Sequence, residues 1–249
     1  PDFAERIQQF ARKKNIRYDL IHSHYWLSGL AAFELQKAWH IPVVHMFHTL
    51  ARVKNQIARR PEEGEPQVRI EGELDLLQKA DCIVTATRNE VTLFESLYDM
   101  QPEEVEIIPP GVDIARFYPI PEDEAFEFAG IPEDHQMNLF VGRIEPLKGI
   151  DTLMKAMLRL RSRGLTSPDC RLCLNIIGGT PDHANREDSP EMQRLLAMAK
   201  EYDMDGVIRF LGKKDQDSLP YYYSAAEVVV VPSHYESFGM VALEAMACG

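Results

Sequence analysis

Two glutamates pose the chemical question in this chain. Seven residues separate Glu236 from Glu244 in Val231-Pro-Ser-His-Tyr-Glu236-Ser-Phe-Gly-Met-Val-Ala-Leu-Glu244. An apolar run ending at Val231 and a helix starting near Gly239 put Glu236 in the connecting loop and Glu244 about one and a half turns into the helix. A carboxylate at a helix N-terminus is favourable simply as a cap, so Glu236 alone does not require a ligand. Glu244 lies among Leu243, Ala245 and Met246, and a carboxylate so placed needs hydrogen-bonding partners such as ribose hydroxyls. A second constellation follows Asn138-Leu-Phe-Val141: Gly142-Arg143, then Lys148-Gly149 at the start of a helix. Glycine lets the backbone approach a ligand, and two cations beside a helix N-terminus can flank a diphosphate. Two solvated surface cations would look the same. Ile177-Gly178-Gly179 is a third turn of this kind, weak by itself.

The first half offers histidines instead. His22 and His24 share a face if their strand persists, which would make two ligands of a metal, but no third ligand is near and none is assigned. His48-Thr49 precedes Arg52, Lys54, Arg59 and Arg60, a stretch without an acid. It reads either as a solvated basic face or as a pocket for a phosphorylated substrate. Cys170 and Cys173 have half the spacing of a zinc site, but they fall on a predicted strand, where residues three apart face opposite ways.

The elements that must position these groups alternate with little interruption. Helical spacing runs from Phe3 to Ala11, Trp26 to Ala38, Val68 to Ala80, Asn89 to Tyr98, Gly149 to Arg163 and onward from Gly239. Short apolar runs at 18–22, 42–47, 81–85, 105–108, 138–141, 171–177, 207–211 and 227–231 read as strands. Such strands, each followed by a helix, predict parallel sheets covered on both faces. Right-handed crossovers then bring every strand-to-helix loop to one edge, where ligands bind. Pro109-Pro110-Gly111 breaks the pattern, and the acidic, proline-containing stretch to about Glu133 reads as a connection. The expectation is an α/β chain of two facing Rossmann-like domains, residues 1–112 and 113–249. The first lacks a Gly-rich opening turn and the second stops just after a helix begins, so both are expected to be incomplete.

Composition narrows the partners. Lys and Arg total 27 against 39 Asp and Glu, a net charge of −12, which disfavours nucleic acid. No apolar run reaches the roughly 18 residues of a membrane-crossing helix. Nothing at Pro1 reads as a signal peptide, and the absence of an initiator Met points to an internal piece of a longer protein. Four cysteines form no disulfide framework, so a reduced, cytoplasmic setting is expected. A homodimer is among the assemblies left open.

On its motifs the chain resembles glycosyltransferase family 4, the retaining enzymes of the GT-B fold. The anchors are Pro109-Pro-Gly-Val-Asp113, Val141-Gly-Arg143 with Lys148-Gly149, Gly178-Gly179, and Glu236-Ser-Phe-Gly with Glu244. In the first half, His22-Ser-His-Tyr-Trp-Leu-Ser-Gly29, His48-Thr-Leu-Ala-Arg-Val-Lys-Asn55 and Arg69-Ile-Glu-Gly-Glu73 are similar to the D-inositol-3-phosphate glycosyltransferase branch. They are less closely similar to the sucrose-phosphate synthase branch.

The resemblance implies roles. Arg143 and Lys148 would hold the donor diphosphate in place of a metal ion, so no metal or other cofactor is expected. Glu244 would receive the nucleotide ribose. Glu236, Gly178 and the amides of Phe238, Gly239 and Met240 would complete the donor site, and His48 would position the sugar at its anomeric centre. Tyr25, Thr49 and Arg69 would bind the acceptor phosphate. The implied reaction moves a sugar from a nucleotide-sugar, UDP-linked by expectation, to a hydroxyl of a phosphorylated polyol or sugar. The alternatives are a family member acting on lipid or polysaccharide precursors at a membrane surface and a nucleotide-sugar-binding protein or epimerase without transferase activity.

Overall fold

Short apolar runs, each followed by a helix, build two separate parallel sheets. The computed structural model describes residues 2–132, 135–166, 172–179 and 189–249. The chain divides into two compact units, Pro1–Pro110 and Gly111–Gly249.

Unit 1 runs α1 Asp2–Lys14, β1 Ile21–His24, α2 Trp26–Trp39, β2 Val43–Met46, α3 Ala51–Ile57, α4 Gln67–Lys79, β3 Cys82–Thr85, α5 Arg88–Tyr98 and β4 Val105–Ile107. The strands pair in parallel in the order β1-β2-β3-β4. Val43, Ile83, Leu76, Leu77 and Phe94 are buried. The first strand starts three residues later than its apolar run predicts. Ile21 N–H bonds to the Pro42 carbonyl, and Pro42 has no N–H with which to extend the ladder backwards. Tyr18 instead stacks on Trp39, ring centroids 5.3 Å apart. The polar segment after residue 50 also holds a helix that local pattern did not show. The first amide of α3, Ala51 N–H, donates to the buried Glu73 carboxylate at 2.9 and 3.1 Å, so the cap comes from α4, far along the chain.

Unit 2 runs α6 Glu122–Ala129, β5 Gln136–Val141, α7 Ile150–Ser162, β6 Leu172–Ile177, α8 Pro190–Glu201, β7 Ile208–Gly212, α9 Leu219–Ser224, β8 Val228–Val229 and α10 Met240–Ala247. Its parallel sheet has the order β7-β6-β5-β8. Successive residues of a strand face opposite sides. Met137 and Leu139 accordingly join Phe117, Phe126, Tyr222 and Tyr223 on one side. Phe140, Leu174 and Ile176 join Ile150, Met154, Met157 and Leu195 on the other.

The acidic stretch after Gly111 is not the plain connection that its composition predicts, because Phe117, Ile120, Ala125, Phe126 and Ile131 belong to the core of unit 2. Its acids, Glu122, Asp123 and Glu124, occupy the first turn of α6, and Gly130 ends the helix in the left-handed conformation. The residues that read as linker are helix start and stop signals. Glu133 and Cys170 lie outside the described residues; Cys173 is buried on β6.

Candidate active site

In unit 2, three loops meet at the C-terminal edge of the sheet. The loop after β5 is tied to β6 by Gly142 N–H to the Ile177 carbonyl at 3.0 Å, and to the loop after β8 by His234 N–H to the Leu147 carbonyl at 2.9 Å. Two glycines make this packing possible. Gly178 has φ +156° and a Cβ there would overlap the Gly142 carbonyl oxygen; Gly149 has φ +65° and a Cβ would overlap the Pro232 carbonyl oxygen. Their freedom is therefore used where loop meets loop, which brings the loops' side chains together.

Across these loops Lys148 meets Glu236, Nζ to Oε1 at 2.6 Å, 88 residues apart in sequence. Ser233 Oγ donates to the same carboxylate oxygen at 2.8 Å. Both side chains are partly buried, at 15% and 29% exposure, so the pair is shielded yet reachable. Arg143 takes a different partner, Glu145, at 2.6 Å, and is 63% exposed. Glu244 is half-buried on α10 and accepts from Tyr223 Oη of α9 at 2.8 Å. Burial, followed by the Glu244 charge, pushes the Tyr223 phenol well above its ordinary value. The same two causes raise the Cys248 thiol to about 11. Phe238 and Gly239 are half-buried and Met240 is exposed at the start of α10, where Gly239 has φ +92°. The amides of a first helical turn have no partner within the helix and form an anion-binding end.

In unit 1 the corresponding edge lies beyond β1 and β2. Tyr25 has φ +69° and His48 φ +63°, left-handed backbone that non-glycine residues seldom adopt. His24 Nδ1 and His48 Nε2 are 2.8 Å apart, their rings stacked at 5.0 Å, with His22 at 4.2 Å from His24. Burial, followed by the neighbouring His24 and His22, lowers the His48 pKa. Among the described residues no group of three or more His, Cys, Asp or Glu is arranged to hold a metal ion.

Arg69 joins the remaining groups. It is fully buried. Its Nε donates to Glu73 Oε1 at 2.8 Å, and its Nη2 to the Thr49 carbonyl at 2.9 Å and to Thr49 Oγ1 at 3.1 Å. Its Nη1 reaches Tyr25 Oη at 3.2 Å and Glu65 Oε1 at 2.9 Å, and the guanidinium lies over the Tyr25 ring at 4.9 Å. Tyr25, Thr49 and Arg69 thus form one cluster. Glu73 also accepts from Tyr98 Oη. Glu65 bridges Arg69 to Lys54, 2.7 Å away; burial opposes its ionisation, but the two cations hold its carboxyl below the ordinary value.

The rest of the basic stretch disperses. Arg52 stacks on Tyr98 and donates to the Leu97 carbonyl. Arg59 and Arg60 line an open groove of about 560 Å³ with Asn55, Pro61 and Gly64. Sequence reasoning did not single out Glu65, Tyr223 or Ser233 as working residues. Glu73, four residues after Arg69 on one helix, was open to recognition as an ion-pair partner. Tyr223 carries no local signal.

Comparison with known proteins adds a family. Residues 1–116 match the model described as Glycosyltransferase Family 4, and residues 121–249 the model of Glycosyl transferases group 1. The D-inositol 3-phosphate glycosyltransferase of Actinosynnema mirum is 41% identical over 96% of this chain and 56% of its own length. That of Saccharomonospora viridis is 42% identical over 93% of this chain and 53% of its own length. The chain therefore spans about half the length of these curated relatives. Among solved structures, the sucrose-phosphate synthase of Thermosynechococcus elongatus matches with a TM-score of 0.85 and 32% identity, over 100% of this chain and 58% of that one. Anabaena HepE in complex with UDP and glucose matches with a TM-score of 0.76 and 19% identity, over 98% of this chain and 60% of that one. The fold of both units is that of GT-B glycosyltransferases.

Proposed function

The chain belongs to the glycosyltransferases, as a Family 4 unit followed by a group 1 unit, and from that premise we propose that it moves a sugar from a UDP-sugar to a hydroxyl of a phosphorylated polyol or sugar, with retention of configuration. In this reading unit 2 takes the donor and unit 1 the acceptor. Lys148 and Arg143 receive the diphosphate, and the Arg143–Glu145 pair, being exposed, costs little to rearrange. Glu244, oriented by Tyr223, accepts from the ribose hydroxyls. Glu236 and the first amides of α10 face the sugar, and His48 orients it.

The glycosyl–phosphate bond breaks through an oxocarbenium-like state while the two cations stabilise the departing diphosphate. The acceptor hydroxyl attacks the anomeric carbon from the side the diphosphate leaves, and its proton passes to the leaving phosphate. Glu236 is committed to Lys148 and Ser233, which supports a binding role over that of a covalent nucleophile. No metal is required in this scheme, and the protein is read as cytoplasmic. Among the described residues no helix is long and apolar enough to cross a membrane.

The observation that carries the choice of acceptor is the Tyr25–Thr49–Arg69 cluster. It presents two hydroxyls and a guanidinium at one point, and Glu65 already places a carboxylate on Arg69 and Lys54. A phosphate would replace that carboxylate and bring the greater charge. Its relatives named for inositol 3-phosphate support the same choice. The test is UDP release from UDP-glucose and UDP-N-acetylglucosamine against inositol, inositol phosphate, fructose and fructose phosphate. Strong preference for a phosphorylated acceptor is expected; equal rates with and without phosphate would refute the phosphate pocket.

A further inference from the structure

The site in unit 1 contains a contact that the proposed roles leave unused. His24 Nδ1 and His48 Nε2 meet at 2.8 Å. Both residues lie at the surface, so filling a core does not explain the contact. A hydrogen bond between two neutral imidazoles needs one donor and one acceptor. If His24 donates from Nδ1, His48 accepts at Nε2 and must carry its own proton on Nδ1. If His48 donates from Nε2, His24 accepts at Nδ1 and carries its proton on Nε2. In either case both rings hold the same tautomer. Two imidazolium rings would set donor against donor and break the contact.

We propose that His24 is a positioning residue for His48, locking it as the Nε2–H tautomer with the Nδ1 lone pair left to accept from a hydroxyl of the transferred sugar. The choice of tautomer follows from chemistry. Nε2–H is the form a free histidine side chain prefers, and the contact lets both rings keep it. Partial desolvation of the ring and the flanking histidines His24 and His22 favour the uncharged form at position 48, a state in which the contact can form. The His48 backbone, at φ +63°, holds the ring at this place, and residues kept in such conformations cluster at functional sites. His24 is itself tethered, because Ser28 Oγ donates to its backbone carbonyl. The inference rests on the transferase reading only in naming a sugar hydroxyl as the group that Nδ1 receives.

The tautomer is read without substrate, by nitrogen NMR of the histidine rings in the ¹⁵N-labelled protein near pH 7.5. The expected spectrum shows His48 protonated at Nε2 and bare at Nδ1, and in His24→Leu a mixture of the two tautomers. A His48 ring carrying Nδ1–H, or one unchanged by His24→Leu, overturns the proposal whatever the activity. In turnover, His24→Leu should lower kcat about tenfold with both KM values little moved, the worth of one ordinary hydrogen bond. His24→Asn, whose Oδ1 can accept from His48 Nε2–H as Nδ1 did, should restore most of it. An unchanged kcat in His24→Leu would remove the positioning role. The expected spectra with no sugar transfer, even in the parent protein, would instead refute the transferase reading and leave the locked tautomer standing.

Discussion

Replacing Arg69 with Met tests whether one residue both holds unit 1 together and serves its acceptor site. The substitution removes the Nε bond to Glu73 at 2.8 Å, the two Nη2 bonds to Thr49 and the ion pair to Glu65 at 2.9 Å. Glu65 is partly exposed and keeps Lys54, and water can satisfy it. Glu73 is fully buried and loses its counterion. Stripping one partner from a buried ion pair costs about 3–5 kcal/mol. Glu73 retains the Ala51 amide and the Tyr98 hydroxyl, which places the cost at the lower end, about 3 kcal/mol, or roughly a hundredfold in the unfolding equilibrium. The assay is built into the chain: its two tryptophans, Trp26 and Trp39, both lie in unit 1. Urea unfolding followed by tryptophan fluorescence therefore reports this unit, and with a slope of about 1.5 kcal/mol per molar the midpoint should fall by about 2 M. The double variant Arg69→Met with Glu73→Gln removes the stranded charge but keeps an acceptor for Ala51, and should recover at least about half of the loss. A single variant within about 1 kcal/mol of the parent, or a double variant no more stable than the single, would refute the reasoning.

Tyr223→Phe should raise the KM for the UDP-sugar about three- to tenfold with little change in kcat, since it removes one hydrogen bond to Glu244 and not the carboxylate itself; a donor titration with unchanged KM would dissociate Glu244 from nucleotide binding. Gly149→Ala forces a side chain into a left-handed position against the Pro232 carbonyl. It should cost about 2 kcal/mol or more and abolish transfer, and an unaltered circular-dichroism melting curve would contradict it. His45 is fully buried and its pKa is lowered to about 3, first by burial and then by the charges of His24, His48 and His22. The unfolded chain takes up this proton as the pH falls below 6.5 while the folded one does not. Stability is therefore whole above pH 6.5 and lost progressively towards pH 3, about 2 kcal/mol of it by pH 5. His45→Gln should flatten that slope in urea titrations at pH 7 and pH 5; an equal slope would assign it to other groups.

Much of this molecule was legible from local pattern. Hydrophobic period, turn glycines and the Pro109-Pro110-Gly111 break are short-range signals. They were enough to place the eight strands of the described residues, though β1 lies further along the chain than its apolar run and β8 is shorter than its own, and to put Arg143, Lys148, Glu236 and His48 on strand-to-helix loops. Local pattern failed where a helix depends on a distant partner or imitates a linker. α3 is capped by Glu73 from another element, and α6 carries its acids and glycine as start and stop signals. Partnership between groups distant in sequence was decided by tertiary structure alone. Lys148 meets Glu236 across 88 residues, Glu244 meets Tyr223 across 21, and His24 meets His48 across 24. A sequence names charges and donors, but their energies fall with distance and depend on burial. Both quantities are set by the order in which parallel strands lie side by side. That order buries Arg69 between Glu73 and Thr49, pairs Lys148 with Glu236, and leaves Arg143 to the solvent.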